Sequence, residues 1–234
     1  MDYSLLAGLV PEPGSRIDFA RCLEIIPDLA PLALTPQDPV FHAEGDVWTH
    51  TKMVVEALVN SQAYAGASQA DRFVLFHAAL LHDIAKPATT VIDEVSGKIG
   101  QPGHSRRGAI DARILLWRAG VPFDMRETIC RIITVHQLPF FALAGDKRGT
   151  TPEFTITKLS WELPVWMLCA VATADMEGRT YHGKQAVLDD IEVFRLIAED
   201  MGALNSPVQF ADDYTRQRYF GGANVQPQFA LFRE

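Results

Sequence analysis

Histidine and aspartate residues in this sequence have the types and spacing of ligands for divalent metal ions. His82 and Asp83 are adjacent at the end of an apolar segment, His50 precedes them, and Asp175 lies in a second apolar segment. Neutral imidazoles and carboxylates bind transition metals, and they must converge from several elements because one helix cannot surround an ion. Successive helical side chains diverge by about 100°, so His82 and Asp83 can approach one ion from two sides, or the carboxylate can bridge two ions. The pattern predicts a metal site.

Two further histidines stand at the boundaries of predicted helices. His104 comes just before one helix and His136 ends another. Each can be a ligand of a second ion or, beside a single ion, a substrate-facing acid or hydrogen-bond donor. His42, His77 and His182 lack such a context, and an isolated histidine is usually a structural residue. These three are therefore not predicted to be ligands.

The elements that must position these residues are predicted to be helices. Apolar residues recur with helical periodicity over the ranges 16–26, 46–65, 70–85, 105–119, 124–136, 153–163, 165–176 and 184–201. Asp124 is the expected N-cap of one of these helices, and Pro87 is the expected end of the helix that carries His82. Because the segment 70–85 is apolar nearly all round, it belongs in the centre of a bundle.

The remaining segments are predicted to be a hairpin and loops. Between residues 89 and 100, two β-branched stretches flank a turn with Ser96 and Gly97, which predicts a small hairpin. A Pro-rich loop follows the first helix, and the segment after residue 202 is expected to be irregular. The predicted fold class is therefore all-α, a helical bundle with a β-hairpin inserted after the His-Asp helix.

Composition indicates a globular protein and limits its partners. The 234 residues are 48% hydrophobic and 21% charged, which excludes disorder over most of the chain. The 21 basic and 29 acidic residues give a net charge of -8, which argues against a large nonspecific nucleic-acid surface. Three cysteines without CxxC spacing indicate reduced thiols, and the apolar segments are too short to span a membrane. These features predict a cytoplasmic protein with no membrane partner.

The order of the metal-binding residue types resembles the signature of the HD-domain metal-dependent phosphohydrolases. The resemblance is closest to the HD domains of bacterial tRNA nucleotidyltransferases and covers about residues 40 to 185. It rests on His50, the string Leu81-His82-Asp83-Ile84-Ala85-Lys86-Pro87, the hairpin, Gly103-His104, and Ala174-Asp175-Met176-Glu177-Gly178-Arg179. The family usually has glycine where this chain has Ala85, a small-for-small change that we expect to be tolerated.

The resemblance implies two divalent transition metal ions, from among Mn, Co, Ni, Zn and Fe. The residues that it assigns to them are His50, His82, Asp83 and Asp175 for the first ion, with His104 and His136 as the extra histidines of binuclear members. Asp83 would then bridge the two ions.

The same resemblance implies catalytic roles for Asp83, Lys86, His104 and His136. Lys86 is expected to meet a phosphate or to steady the Asp83 carboxylate. Arg106 and Arg107 begin a helix beside His104 and are expected to bind the phosphate of the substrate.

The implied function is hydrolysis of phosphate esters of nucleotides or RNA termini by a metal-activated water, as a phosphomonoesterase or 2′,3′-cyclic phosphodiesterase. The segment 210–220 looks similar to the linker that follows HD domains fused to a polynucleotide kinase, so such a kinase is an expected partner in a longer parent protein. The domain boundaries expected are 1–40 for an N-terminal helix and loop, 41–202 for the HD domain, and 203–234 for a tail or linker.

Two other functions are compatible with this sequence. Some HD relatives use a four-His, two-Asp site as a di-iron oxygenase, and iron content with oxygen reactivity would distinguish that class. A noncatalytic accessory domain that binds a nucleotide is the other, although it would be expected to have lost some of the ligands. The oligomeric state has no direct signal in the sequence.

Overall fold

Helices build most of the chain in this computed structural model, which describes residues 2–143 and 151–221. The α-helices are α1 (Tyr3–Ala7), α2 (Phe19–Ile25), α3 (Val47–Val59), α4 (Gln62–Ala65), α5 (Gln69–Leu81), α6 (Lys86–Thr89), α7 (His104–Arg118), α8 (Phe123–Val135), α9 (Pro152–Ser160), α10 (Val165–Glu177), α11 (Lys184–Asp200) and α12 (Asp213–Tyr219). Short 3-10 helices span Pro27–Leu34 and Leu138–Phe140. The predicted all-α fold class is confirmed.

The predicted hairpin is also present, in a short form. Strand β1 (Val91–Ile92) pairs antiparallel with β2 (Ile99–Gly100). The carboxylate of Asp93 accepts hydrogen bonds from the backbone N–H and the hydroxyl of Ser96, at 2.7 and 2.8 Å, and so closes the turn. Gly97 completes it with a φ of 69°, in the left-handed region that glycine adopts without strain.

The predicted helix over 46–65 is wrong in its length, because it is two helices. α3 ends at Val59, and α4 begins after Ser61, whose hydroxyl accepts a hydrogen bond from the backbone N–H of Tyr64 at 3.1 Å. A serine side chain that caps an N-terminus favours a new start over continuation of the old helix.

The prediction that Pro87 ends the His-Asp helix is likewise wrong. α5 ends earlier, at Leu81, and His82 is its C-cap. Pro87 instead lies in the first turn of α6, where a missing N–H costs no helical hydrogen bond. His82 and Asp83 therefore stand on a tight connection between two helices.

Three smaller predictions also differ from the structure. Asp124 is not the N-cap of α8 but lies in its first turn, because the helix begins at Phe123. The Pro-rich loop contains the 3-10 helix Pro27–Leu34. The tail contains α12, which is capped by Asp212 and packs with Tyr219 against the ring of Phe154. The last part of the predicted tail, residues 222–234, lies outside the described residues.

The core surrounds α5, which contacts α3, α8 and α10. The segment of α5 from Phe73 to Leu81 is buried on every side, as its continuous apolar sequence predicts. Each large apolar side chain buried there contributes about 1.5–3 kcal/mol to folding. α5 therefore holds its C-terminal end, with His82 and Asp83, at a fixed place inside the bundle. None of the helices in the described ranges is long and apolar enough to cross a membrane.

The contact between α3 and the end of α10 depends on Gly178. A Cβ atom at Gly178 would lie 2.6 Å from Cγ2 of Val54 and 2.7 Å from its backbone nitrogen, closer than real Cβ atoms approach. Val54 lies one turn beyond His50 on α3, and Gly178 lies three residues after Asp175. The absence of a side chain at Gly178 thus lets the two helices bring His50 and Asp175 together.

Replacement of Gly178 by alanine is expected to lower the free energy of unfolding by about 1–3 kcal/mol, since the helices must separate to admit the methyl group. Urea unfolding measures the change. Gly66→Ala is the matched control, because Gly66 also caps a helix with helical backbone angles and its Cβ would meet the Gln62 carbonyl at an ordinary 3.5 Å. Equal effects of the two substitutions would contradict the assignment of Gly178 to the helix contact.

Candidate metal centre

The six residues predicted as metal ligands meet around one buried point of the bundle. They are His50 on α3, His82 and Asp83 directly after α5, His104 at the start of α7, His136 directly after α8, and Asp175 on α10. His104 is the most exposed of them, at 8%. Residues separated by as many as 125 positions in the chain are thus brought into contact by five helices and their ends.

The nitrogen and oxygen atoms of these residues face one another at short distances. The pairs are His50 Nε2 and Asp175 Oδ1 at 3.1 Å, His82 Nε2 and Asp83 Oδ2 at 3.1 Å, His104 Nε2 and Asp83 Oδ1 at 3.5 Å, and His136 Nε2 and Asp175 Oδ2 at 3.9 Å. Two atoms that each bind one ion at about 2.1 Å lie about 3.0–3.4 Å apart. The two 3.1 Å distances fall in this range, and the two longer ones, of 3.5 and 3.9 Å, exceed it by about 0.1 and 0.5 Å.

Three of the imidazoles are oriented by the backbone. The Nδ1–H groups of His82, His104 and His136 donate to the carbonyl oxygens three residues earlier, of Ala79 at 2.7 Å, Gln101 at 2.8 Å and Ile133 at 2.8 Å. A carbonyl can only accept, so Nδ1 must be the protonated nitrogen and the other ring nitrogen, Nε2, is the metal-facing one. Nε2 of His82 and of His136 is buried and has no hydrogen-bond partner among the described residues.

Asp83 faces two groups of histidines with its two oxygen atoms. Oδ2 lies toward His82 and, at 3.9 Å, toward His50, whereas Oδ1 lies toward His104. Oδ2 also forms an ion pair with Lys86 Nζ at 2.7 Å, whereas Oδ1 is buried and accepts no hydrogen bond among the described residues. A buried polar atom left in this state costs about 1–3 kcal/mol, so the arrangement is that of a site built for a ligand. The geometry suits a carboxylate that bridges two ions.

Two buried cations hold the carboxylates in their ionised form. Lys86 Nζ lies 2.7 Å from Asp83 Oδ2, and the Arg179 guanidinium donates to both oxygens of Asp175 at 3.0–3.1 Å. Burial alone would raise the pKa of each carboxyl, but His82 and Lys86 outweigh it at Asp83, and Arg179 outweighs it at Asp175. Both pKa values therefore lie well below their usual range, and both side chains carry a negative charge at neutral pH.

The two histidines expected to be the extra ligands are neutral at pH 7. Burial lowers the pKa of His136 to about 3 and lowers that of His104 as well. At His82, burial acts in the same direction, but the neighbouring Asp83 raises the pKa above its ordinary value. Neutral imidazoles and ionised carboxylates are the protonation states that bind metal ions.

The predicted phosphate-binding residues are placed differently from one another. Lys86 is buried beside Asp83, and its Nζ also donates to Oε1 of Gln37 at 2.6 Å. Arg106 and Arg107 are exposed on α7, and Arg107 forms an ion pair with Asp111 at 3.0 Å. Neither arginine contacts the six ligand residues within the described part of the chain.

Sequence reasoning missed three residues around the centre. His42 is not predicted to be a ligand, yet its ring lies 4.8 Å from that of His50. Its Nδ1 donates to Oε1 of Glu44 at 2.8 Å, and Nδ1 of His50 lies 3.1 Å from the same oxygen. Burial alone would raise the pKa of Glu44, but hydrogen bonds from the two histidines hold it below its usual range. These residues and Gln37 lie in an aperiodic loop, so nearness in sequence to His50 was their one available signal.

The other two histidines that are not predicted to be ligands lie outside the cluster. His77 lies in the apolar core, where its Nδ1 donates to the carbonyl of Phe73 at 2.9 Å. His182 is exposed two residues before the start of α11. Neither belongs to a group of possible ligands among the described residues.

Comparisons with known proteins relate this chain to one family and to several relatives that share a name. Residues 47–159 match the family described as HD domain. Three curated relatives are each named multifunctional CCA protein: from Halorhodospira halophila, 31% identical over 56% of this chain and 30% of the relative; from Cupriavidus metallidurans, 34% identical over 53% and 28%; and from Pasteurella multocida, 28% identical over 72% and 40%. The chain thus spans between 28% and 40% of the length of these relatives.

Proposed function

This chain contains an HD domain and belongs to the HD-domain superfamily of metal-dependent phosphohydrolases, and we propose that it hydrolyses phosphate esters of nucleotides or RNA ends. The observation that carries the proposal is the buried set of four imidazoles and two carboxylates, in which the two oxygens of Asp83 face different histidines. We propose His50, His82, Asp83 and Asp175 as ligands of the first divalent ion and Asp83, His104 and His136 as ligands of the second.

The chemistry that such a pair of ions supplies is a water of lowered pKa, from 15.7 towards about 7, and a clamp for phosphate oxygens. The residues of the chain hold the protonation states that this chemistry needs. Asp83 and Asp175 are ionised, and in the neutral form of His82 and His136 the lone pair is on Nε2, because each Nδ1–H donates to a carbonyl. Lys86 keeps Asp83 in place through its hydrogen-bonded ammonium group.

Lys86 and His104 are the residues that we propose to act on the substrate itself. Lys86 Nζ uses two of its three donor positions on Asp83 and Gln37, which leaves one for a phosphate oxygen. His104 is the most accessible of the four ligand histidines and adjoins the exposed start of α7, where Arg106 and Arg107 are proposed to attract the anionic substrate. A leaving alkoxide needs a proton, for which His104, His136 or a bound water is the proposed source.

The names of the relatives support a substrate related to RNA. Proteins named multifunctional CCA protein match more than half of this chain, and we propose that it shares with them an HD domain that acts on nucleotides or RNA termini. Within that class we propose 2′,3′-cyclic phosphates and phosphomonoesters. A polynucleotide kinase partner rests on the sequence of segment 210–220 alone and remains a prediction.

The experiment that tests this function is phosphate release from 2′,3′-cyclic nucleotides, 2′- and 3′-nucleotides and p-nitrophenyl esters. Metal-stripped protein is reloaded separately with Mn, Co, Ni, Zn, Mg or Fe. Release that requires a transition metal supports the proposal and ranks the substrates. Absence of phosphate release with every ion would overturn the proposal. In that case, protein that binds two irons and reacts with oxygen would be an oxygenase. Protein that binds no metal tightly would be an accessory domain.

A binuclear centre makes a separate prediction about metal content. Combined replacement of His104 and His136 by alanine is expected to reduce the bound ions from two to one, since Asp83 alone of the second set would remain. Mass spectrometry of the native protein or elemental analysis measures the ratio. His182→Ala is the control, because His182 is an exposed histidine outside the centre. Two ions retained by the double variant would show that these histidines do not hold the second one.

A further inference from the structure

A third carboxylate, that of Glu44, is buried at the edge of the metal centre without facing it. Its side chain is 2% exposed. Oε1 accepts a hydrogen bond from Nδ1 of His42 at 2.8 Å and lies 3.1 Å from Nδ1 of His50, and Oε2 accepts a hydrogen bond from the backbone N–H of Thr180 at 2.8 Å. Both oxygens are thus engaged by donors, so Glu44 has the contacts of an acceptor in a hydrogen-bond network and not those of a metal ligand.

His50 is held differently from the other three histidines of the centre. Those three donate to a carbonyl three residues earlier on their own element, whereas Nδ1 of His50 meets the Glu44 carboxylate. The same nitrogen also forms a hydrogen bond with the carbonyl of Gly178, but at 3.4 Å this contact is longer than the 3.1 Å to Glu44 and is the weaker one. A hydrogen bond to an ionised acceptor is roughly twice as strong as a neutral one.

We infer that Glu44 is a positioning residue for the metal centre. Its carboxylate attracts the Nδ1–H group of His50, which keeps the proton on Nδ1 and directs the lone pair of Nε2 at the first ion. The inference rests on the proposed function, because it requires an ion beside His50. A carboxylate behind an imidazole fixes its tautomer and ring orientation and makes the ligating nitrogen more basic. The metal affinity of His50 therefore depends on Glu44, which lies outside the HD-domain match at 47–159.

The same carboxylate also ties the loop of Glu44 to the end of α10. Besides the bond from Thr180 to Glu44, the backbone N–H of Ala43 donates to the carbonyl of Thr180 at 3.1 Å. Asp175, the partner of His50, lies five residues before Thr180. Glu44 therefore contacts the ligand on α3 and the segment that follows the ligand on α10, which fixes both sides of the first ion site.

The test is metal affinity of the full chain in the isosteric variant Glu44→Gln, measured by competition titration with Co²⁺ and by the visible Co²⁺ absorption bands. The dissociation constant of one of the two ions is expected to rise about 10- to 100-fold, the usual cost of losing an outer hydrogen-bond partner. The other ion, held by His104 and His136, is expected to keep its affinity. His42→Ala, which leaves the bond between Glu44 and His50, is expected to change both constants less than about threefold.

Controls separate this inference from the proposed function and from general destabilisation. Glu127→Gln alters a half-buried carboxylate bound by Arg113 and Arg126, far from the centre, and should leave both affinities unchanged. If Glu44→Gln weakens neither ion, or weakens both equally as a merely structural residue would, the positioning role is refuted while wild-type metal binding upholds the centre. The His50→Ala variant tests the proposed function itself. If it binds as many ions as the wild-type protein, or if the wild type binds none, both the proposed function and the positioning role fail.

Discussion

Asp83→Asn is expected to abolish metal-dependent hydrolysis while the helices remain folded. Asparagine has the same shape but offers one neutral oxygen, so it cannot face both histidine groups with charged oxygens as Asp83 does. It also removes the ionised partner of the buried Lys86. Loss of one charge-stabilising group in an active site costs about 10²–10³-fold in rate, and loss of a bridging ligand should cost at least that much.

The measurement is phosphate release from the best substrate of the panel, together with metal content and the circular dichroism spectrum. Asp213→Asn is the matched control, since Asp213 is an exposed aspartate on α12 that pairs with Arg216 at 3.0 Å. Its activity should stay within twofold or so of the wild type, because surface ion pairs contribute little. An Asp83→Asn protein that hydrolyses phosphate esters with full metal dependence would remove Asp83 from the mechanism.

Arg179→Ala is expected to lower the free energy of unfolding of the metal-free protein by about 3–5 kcal/mol. The substitution leaves the fully buried carboxylate of Asp175 without its bidentate partner, and it also removes the contact of the guanidinium with the Phe140 ring. Urea unfolding of the metal-free protein measures the loss. Arg195→Ala provides a comparison, because Arg195 pairs with Glu199 at the same i,i+4 spacing on the exposed face of α11 and should contribute about 0–1 kcal/mol.

The loss of unfolding free energy caused by Arg179→Ala should become smaller at acid pH. In the wild-type protein the pKa of Asp175 lies well below its ordinary value. The ionised carboxylate therefore stabilises the fold at pH values above the ordinary pKa, and this stabilisation is lost as the pH falls toward the lowered pKa. Without the guanidinium, burial favours the protonated carboxyl, which the variant can adopt as the pH falls. A deficit that does not depend on pH would show that packing on Phe140 accounts for the loss.

The helices, and the residues that cluster as candidate ligands, were predictable from this sequence because both follow local patterns. The 3.6-residue recurrence of apolar side chains located α5, α7, α8, α10 and α11 to within a few residues of their ends. The ligand histidines and aspartates stand at the ends of those helices, so finding the helices nearly located the centre. The break between α3 and α4 escaped prediction because residues on both sides of Ser61 favour helix equally well.

Contacts between segments distant in sequence were not predictable in the same way. Glu44 and Gln37 lie in a loop without periodicity, and their partners, His50 and Lys86, are identified by geometry alone. The close approach of Gly178 to Val54 is another such case, since Gly178 has ordinary helical backbone angles and nothing local demands a glycine there. Tertiary packing sets these features, and single-sequence patterns do not carry it.

The helix ends around the centre impose an electrostatic order on binding. His82 and His136 are the C-caps of α5 and α8, and the C-terminus of each helix carries about half a negative elementary charge. Metal binding requires neutral imidazoles. In that state the three buried carboxylates outnumber the two buried cations nearby: Asp83, Asp175 and Glu44 against Lys86 and Arg179. The residues thus repel a phosphate by themselves and attract cations. For the phosphate-ester substrate proposed above, we therefore expect affinity to depend on bound metal, because the cations reverse the local charge before the anion binds.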